Sequence, residues 1–126
     1  MRKSFTAGMA FLLLVWAAVC SCRVGAEEKN LTVFHINDVH GRLDTFPKAA
    51  FLLEQERKKS PDILFLNAGD NFSGNPVVDQ YEPRGLPIME TLNRLGLDMM
   101  ALGNHDFDYG QETLGQFMKQ SRFPFL

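Results

Sequence analysis

From Leu31 to Leu126 the chain repeats one pattern: a short apolar run, a tip of carboxylate, amide, imidazole and glycine residues, then an amphipathic stretch. The runs Leu31–Asn37, Asp62–Asn67 and Met99–Leu102 are too short for helices and read as strands. After the first tip, Phe46, Ala49, Ala50 and Leu53 fall at i, i+3, i+4 and i+7, behind Pro47 and ahead of Lys58 and Lys59. This spacing predicts a helix whose basic last turn suits the helix dipole. Pro87–Leu95 predicts a second helix, with Ile88, Leu92 and Leu95 inward and Gly96 closing it. Leu114, Phe117 and Met118 give a third helix its apolar face, and Phe123–Leu126 opens what reads as a further strand. Strands separated by helices imply right-handed βαβ crossovers and a mainly parallel sheet covered on both faces, so the fold class is α/β. Between the second strand and second helix, Asn71–Gly85 predicts a long polar loop, either a substrate rim or a plain surface insertion.

Ligands of open α/β sheets sit beyond the carboxyl ends of the strands. Here the three tips are Asp38-Val-His40, Gly69-Asp70 and Gly103-Asn-His-Asp-Phe-Asp108. Asp38 and Asp70 are 32 residues apart, and Asp70 and Asn104 are 34 apart, each about one βαβ unit. The three tips can therefore converge, with Gly69 and Gly103 expected to turn the backbone sharply beside them. Carboxylate, imidazole and amide donors favour Mn, Zn, Fe or Co over a soft thiolate metal. A bridging carboxylate can hold two ions about 3.5–4 Å apart, a pair that activates water near neutral pH and clamps the oxygens of an in-line displacement at phosphorus. His105 and Asp108 lie three residues apart, near enough on a turn for the carboxylate to fix the imidazole tautomer and hold it cationic.

The specificity of these signals differs. With average residue usage, Asp-x-His arises by chance in roughly one chain in ten of this size, whereas Gly-Asn-His-Asp needs thousands of chains. Taken singly, Asp70 and Asn104 read as turn or cap residues and His40 as a surface histidine; their conjunction after three strands argues for ligands. His35 lies mid-strand and is expected to be packed or hydrogen-bonded. Phe107 and Tyr109 read as packing residues, and Asp106 has no assignable role.

On the segments Asn37-Asp-Val-His-Gly41, Asn67-Ala-Gly-Asp-Asn71 and Leu102-Gly-Asn-His-Asp-Phe-Asp-Tyr-Gly110, the chain resembles the start of the 5′-nucleotidase family of calcineurin-like metallophosphoesterases. The resemblance implies the N-terminal part of that fold and two divalent ions drawn from Mn, Zn, Fe, Co or Mg. Asp38 and His40 would hold one ion, Asp70 would bridge both, and Asn104 would ligate the second. His105, oriented by Asp108, would stabilise charge on the phosphoryl group. The implied activity is hydrolysis of a phosphate ester, foremost a nucleotide; cyclic phosphodiesters and UDP-sugars are alternatives within the superfamily. Family members complete both metal spheres with further histidines and bind the nucleoside partly through a C-terminal domain. With three histidines in 126 residues, the chain is expected to be a front portion of such an enzyme, inactive alone. The rival reading is a secreted or lipid-anchored metal-binding remnant without turnover.

Arg2 and Lys3 precede the apolar run Phe5–Cys20, and small residues follow to Ala26, the layout of a secretory signal peptide over residues 1–26. The run is short for a membrane span, which takes about 20 apolar residues, so an uncleaved signal acting as a permanent membrane anchor is the weaker alternative. Cleavage after Ala26 competes with a lipoprotein signal ending before Cys22, whose lipidation would anchor the chain to a membrane. Either outcome exports the protein to a periplasmic, cell-surface or extracellular location. Residues 27–126 then form the metallophosphoesterase portion, and they contain no cysteine, hence no disulfide or thiol site. They carry ten basic and fifteen acidic residues, so no basic footprint argues for nucleic acid as a partner.

Overall fold

Alternation of core-facing and outward residues makes Thr32–Ile36 a strand, β1, with Phe34 and Ile36 against the core and Val33 and His35 exposed. In the computed structural model, which describes residues 28–60 and 62–126, a single 3₁₀ turn at Leu43–Thr45 leads from the first tip into helix α1, Phe46–Lys59. The expected inward face of α1 is present: Phe46 and Leu53 are buried and Ala49 and Ala50 half-buried. Strand β2, Ile63–Asn67, pairs in parallel with β1 along its whole length, Phe34 opposite Phe65 and Ile36 opposite Asn67. Helix α3, Leu86–Leu95, ends at Gly96, whose φ of 67° and ψ of 56° form the left-handed C-cap expected of it. Arg57 of α1 reaches over that end and donates to the carbonyls of Leu95 at 2.8 Å and Gly96 at 2.9 Å, satisfying acceptors that the helix leaves open.

Several expectations need correction. Asn71–Gly85 is not a plain polar loop: it contains a short helix, α2, Pro76–Gln80, and buries Phe72 and Val78 completely. Phe72 stacks on Phe117 with ring centroids 5.0 Å apart, so the segment is pinned to the core by its own apolar side chains. The third strand, β3, is only Met99–Met100. The chain end contributes a single parallel bridge, Met100 with Phe125, rather than a full strand. Helix α4, Gln111–Gln120, buries Leu114 and Phe117 as expected but leaves Met118 45% exposed, because Phe117 takes the inward position.

The sheet order β1-β2-β3 follows the chain order, and this explains a further departure from expectation. Right-handed crossovers that always step in one direction lay every helix on the same face. The core formed by Leu53, Phe65, Phe72, Ile88, Leu92, Met100 and Phe117 accordingly sits on one side of the sheet. Among the described residues the other face, with Val33 and His35, is uncovered rather than covered. His35 is thus exposed on an open face, not packed, and its ring has no hydrogen-bond partner among the described residues; it borders a shallow apolar depression with Leu66, Met99 and Leu126. The expected leader, residues 1–26, lies outside the described residues. No helix among those described is long and apolar enough to cross a membrane.

Candidate metal centre

The parallel register puts the ends of all three strands at one sheet edge, since Ile36 pairs with Asn67 and Asn67 with Met100. Backbone pairing then continues past the strands. Asp38 N–H donates to Gly69 O at 3.1 Å, His40 N–H to Asp70 O at 3.0 Å and Gly41 N–H to Asn71 O at 2.8 Å. The first two tips are therefore zipped together before any side chain is considered.

This pairing has a conformational consequence. Asp38, His40 and Asp70 have φ of 50°, 46° and 56°, a region that non-glycine residues rarely adopt. Such strain persists only where surrounding contacts over-determine it, and it clusters at functional sites. Here it brings the side chains together: one ligand atom from each of Asp38, His40 and Asp70 lies within 4.8 Å of the others. The carboxylates of Asp38 and Asp70 form no ion pair with a Lys or Arg among the described residues; the ionic neighbour of Asp38 is His40, at 3.9 Å. Two anions held side by side with nitrogen and oxygen donors between them fit a divalent cation of intermediate hardness.

The third tip docks onto the second. Its 3₁₀ turn, Asn104–Phe107, directs the His105 N–H at Asp70 Oδ1, 2.8 Å away. Asn104 opens the turn and is exposed beside this junction. The His105 ring lies 5.0 Å from that of His40, centroid to centroid. Its Nδ1 is 2.9 Å from Asp108 Oδ2, the pairing expected from their spacing. That hydrogen bond, with the negative field of Asp108, Asp70 and Asp106, raises the His105 pKa above the ordinary imidazole value against a smaller opposing effect of desolvation. Asp108 is held below the usual carboxylate range, first by a hydrogen bond from the Ser73 hydroxyl and then by His105.

Two features escaped the sequence reading. Gly103 was expected to turn the chain, yet its φ of −92° and ψ of 175° suit any residue; what it supplies is space, since a Cβ there would stand 2.1 Å from Asp70 Oδ1. Gly69 needs both properties, with φ of 100° and the Gly103 backbone so close that a Cβ would lie 2.4 Å from its nitrogen. Asp106 is 2% exposed and accepts three backbone N–H groups, from Asp70 at 3.0 Å, Asn71 at 2.8 Å and Gly103 at 2.9 Å. No spacing rule marks the whole set, because two of its three partners, Asp70 and Asn71, lie in another loop. Nearby, the buried amides of Asn67 and Asn71 bond each other at 2.6 and 3.0 Å and shape the turn between them. Tyr109 packs against the core as expected, its hydroxyl bonded to Asp79, whereas Phe107 is 45% exposed.

Comparison with known proteins agrees with this architecture. A family profile described as calcineurin-like phosphoesterase matches residues 31–125. A 5′-nucleotidase of Rattus norvegicus is 33% identical over an alignment that covers 100% of this chain and 25% of the relative. A human 5′-nucleotidase is 35% identical, covering 93% of this chain and 23% of the relative. Among solved structures, a 5′-nucleotidase precursor from Thermus thermophilus superposes with a TM-score of 0.69 at 34% identity, over 76% of this chain and 21% of that one. The NAD nucleotidase of Haemophilus influenzae gives 0.69 at 27% identity, over 76% and 20%. The chain thus spans about a quarter of the length of the curated relatives it matches. With its three converging strand ends and a profile match over residues 31–125, the chain belongs to the calcineurin-like phosphoesterases.

Proposed function

We propose that this chain carries part of the metal site of an exported phosphate-ester hydrolase acting on nucleotides, in the manner of a 5′-nucleotidase. The observation that carries the reading is the convergence of Asp38, His40 and Asp70 within 4.8 Å, all three at positive φ, beside the His105–Asp108 pair. Asp38 and His40 would hold one divalent ion, Asp70 would bridge to a second, and Asn104 would ligate that second ion through its side-chain oxygen. Such ions supply acidified water and neutralise phosphoryl oxygens.

The chain's own residues do the rest. Asp108 accepts from His105 Nδ1, which leaves Nε2 to face the substrate. The raised His105 pKa favours the imidazolium, so Nε2 carries a proton toward the phosphoryl oxygens as their charge grows. The segment Asn71–Gly85, anchored by Phe72 and Val78, forms a rim on which a nucleotide rests. The family of its relatives, two of them 5′-nucleotidases, supports the nucleotide assignment. Residues 1–26 serve as the export signal, by cleavage after Ala26 or lipidation of Cys22, and residues 27–126 form the hydrolase portion. Nucleoside selection would fall to a C-terminal substrate domain of the kind the resemblance implies.

A metal-binding module without turnover is the second reading, favoured by the count of three histidines, of which His35 is exposed mid-strand away from the tips. Mn²⁺ binding by this chain, and phosphate release from AMP by a version extended to the full length of its relatives, separate the two. Binding that Asp38→Asn abolishes, together with release that Asn104→Ala and His105→Ala each abolish, supports the hydrolase. Binding without release supports the module. Release unaffected by either substitution would mean that the site is misassigned.

A further inference from the structure

Asp106 is a buried carboxylate that the catalytic reading leaves without a task. Its two oxygens are fully engaged inside the protein, Oδ2 by the amides of Asp70 and Gly103 and Oδ1 by that of Asn71. Those donors come from two different tips. Asp70 and Asn71 follow β2, whereas Gly103 follows β3, so one side chain staples the loop of the bridging ligand to the loop of Asn104 and His105. The two loops meet at Gly69 and Gly103, where neither has a side chain, so the carboxylate of Asp106 and the bond from His105 N–H to Asp70 Oδ1 join them beside that contact.

The backbone explains why a staple is needed. Asp70, with φ of 56°, sits in a conformation from which an unconstrained L-residue would relax. Its amide is fixed by Asp106, its carbonyl by His40 N–H and its Oδ1 by His105 N–H. The bond from His40 belongs to the first tip and that from His105 to the third. Asp106 alone holds the Asp70 amide, and through the neighbouring Asn71 amide it fixes the orientation of the following peptide.

We propose that Asp106 is a positioning residue for the metal centre: without touching an ion, it locks Asp70 and the Asn104–His105 turn into ligand geometry before any metal arrives. This rests on the metal-site reading given above. The chemistry requires a carboxylate. An amide in its place offers one acceptor oxygen and an NH₂ group, so at least one backbone N–H must face another donor. Groups that orient ligands without contacting the ion typically change metal affinity by roughly ten- to a hundredfold when altered.

The test is Mn²⁺ binding by the full chain in mild detergent, read from the free-ion paramagnetic resonance signal, for the parent, Asp38→Asn and Asp106→Asn. Loss of binding in Asp38→Asn, with affinity weakened roughly ten- to a hundredfold in a folded Asp106→Asn, supports the proposal. Unchanged affinity in folded Asp106→Asn overturns it and leaves the metal site standing. Absence of binding in the parent, or indifference to Asp38→Asn, overturns the metal site and this proposal with it. Backbone hydrogen exchange on the parent gives a second reading that holds even where Asp106→Asn fails to fold. Amides of Asp70, Asn71 and Gly103 protected in a chelator, with little change on adding Mn²⁺, support locking in advance of the metal; protection that appears only with Mn²⁺ overturns it.

Discussion

Replacing Gly103 by alanine tests how tightly the second and third tips are fitted. The backbone at Gly103, with φ of −92° and ψ of 175°, accepts alanine without strain, so any effect comes from contact alone. The added Cβ would stand 2.1 Å from Asp70 Oδ1 and 2.6 Å from Asp70 N. Ordinary contact begins at 3.4 Å, so the carboxylate must retreat by about 1.3 Å. Rotating the Asp70 side chain does not relieve the clash with its backbone nitrogen, and it breaks the 2.8 Å bond from His105 N–H. Overpacking typically costs about 1–3 kcal/mol, and losing a bond to a charged acceptor about 1.5–3 kcal/mol. Gly103→Ala is therefore expected to lose about 2.5–6 kcal/mol in urea denaturation followed by circular dichroism, and to lose Mn²⁺ affinity with it. A variant within about 0.5 kcal/mol of the parent, the scatter of ordinary surface substitutions, would refute the reasoning.

The same substitution elsewhere should have the opposite sign. Gly115 lies inside α4 with nothing within 4 Å of an added Cβ, so Gly115→Ala should gain about 0.5–1 kcal/mol in the same denaturation assay. Arg57→Ala removes both bonds to the end of α3 and should cost about 1 kcal/mol, with Arg57→Lys recovering only part of it because a single ammonium cannot reproduce the fork. For His105 the folded pKa is raised, so its contribution to stability is fully present below the ordinary value of 6.5 and is lost as pH rises through the folded value. Asp108, lowered from 3.8, has the reverse sense: its contribution is present above that value and is lost as pH falls through the folded one. Asp108→Asn should move the His105 midpoint down in a proton NMR titration run with a chelator; an unmoved midpoint would show that the pair is not coupled.

The strand ends were legible because the chemistry at each tip is local. Asp38-Val-His40, Gly69-Asp70 and Asn104-His105 announce themselves in a few consecutive residues, and the βαβ spacing carries them to one edge. Helix faces were legible for the same reason, with Phe46 and Leu53 inward and Gly96 at its C-cap. Phe72 and Val78 were not, since two buried residues in a segment rich in Asn, Asp, Gly and Pro have no period to reveal them. Asp106 was invisible because a carboxylate bonded to backbone amides leaves no trace in the identity of its partners. The open sheet face was hidden in the strand order, which alternation of strands and helices does not specify.

The positive φ values at Asp38, His40 and Asp70 set selection for durability against selection for chemistry. Each such residue stores strain of order 1–3 kcal/mol, which an asparagine or glycine would relieve in part. A lineage screened only for thermal tolerance would drift toward those replacements and emerge sturdier and without its ligands. Strained backbone kept under aspartate and histidine is thus a ratchet running toward inactivity, and persistence of all three together marks a chain shaped by what it holds rather than by how well it stands.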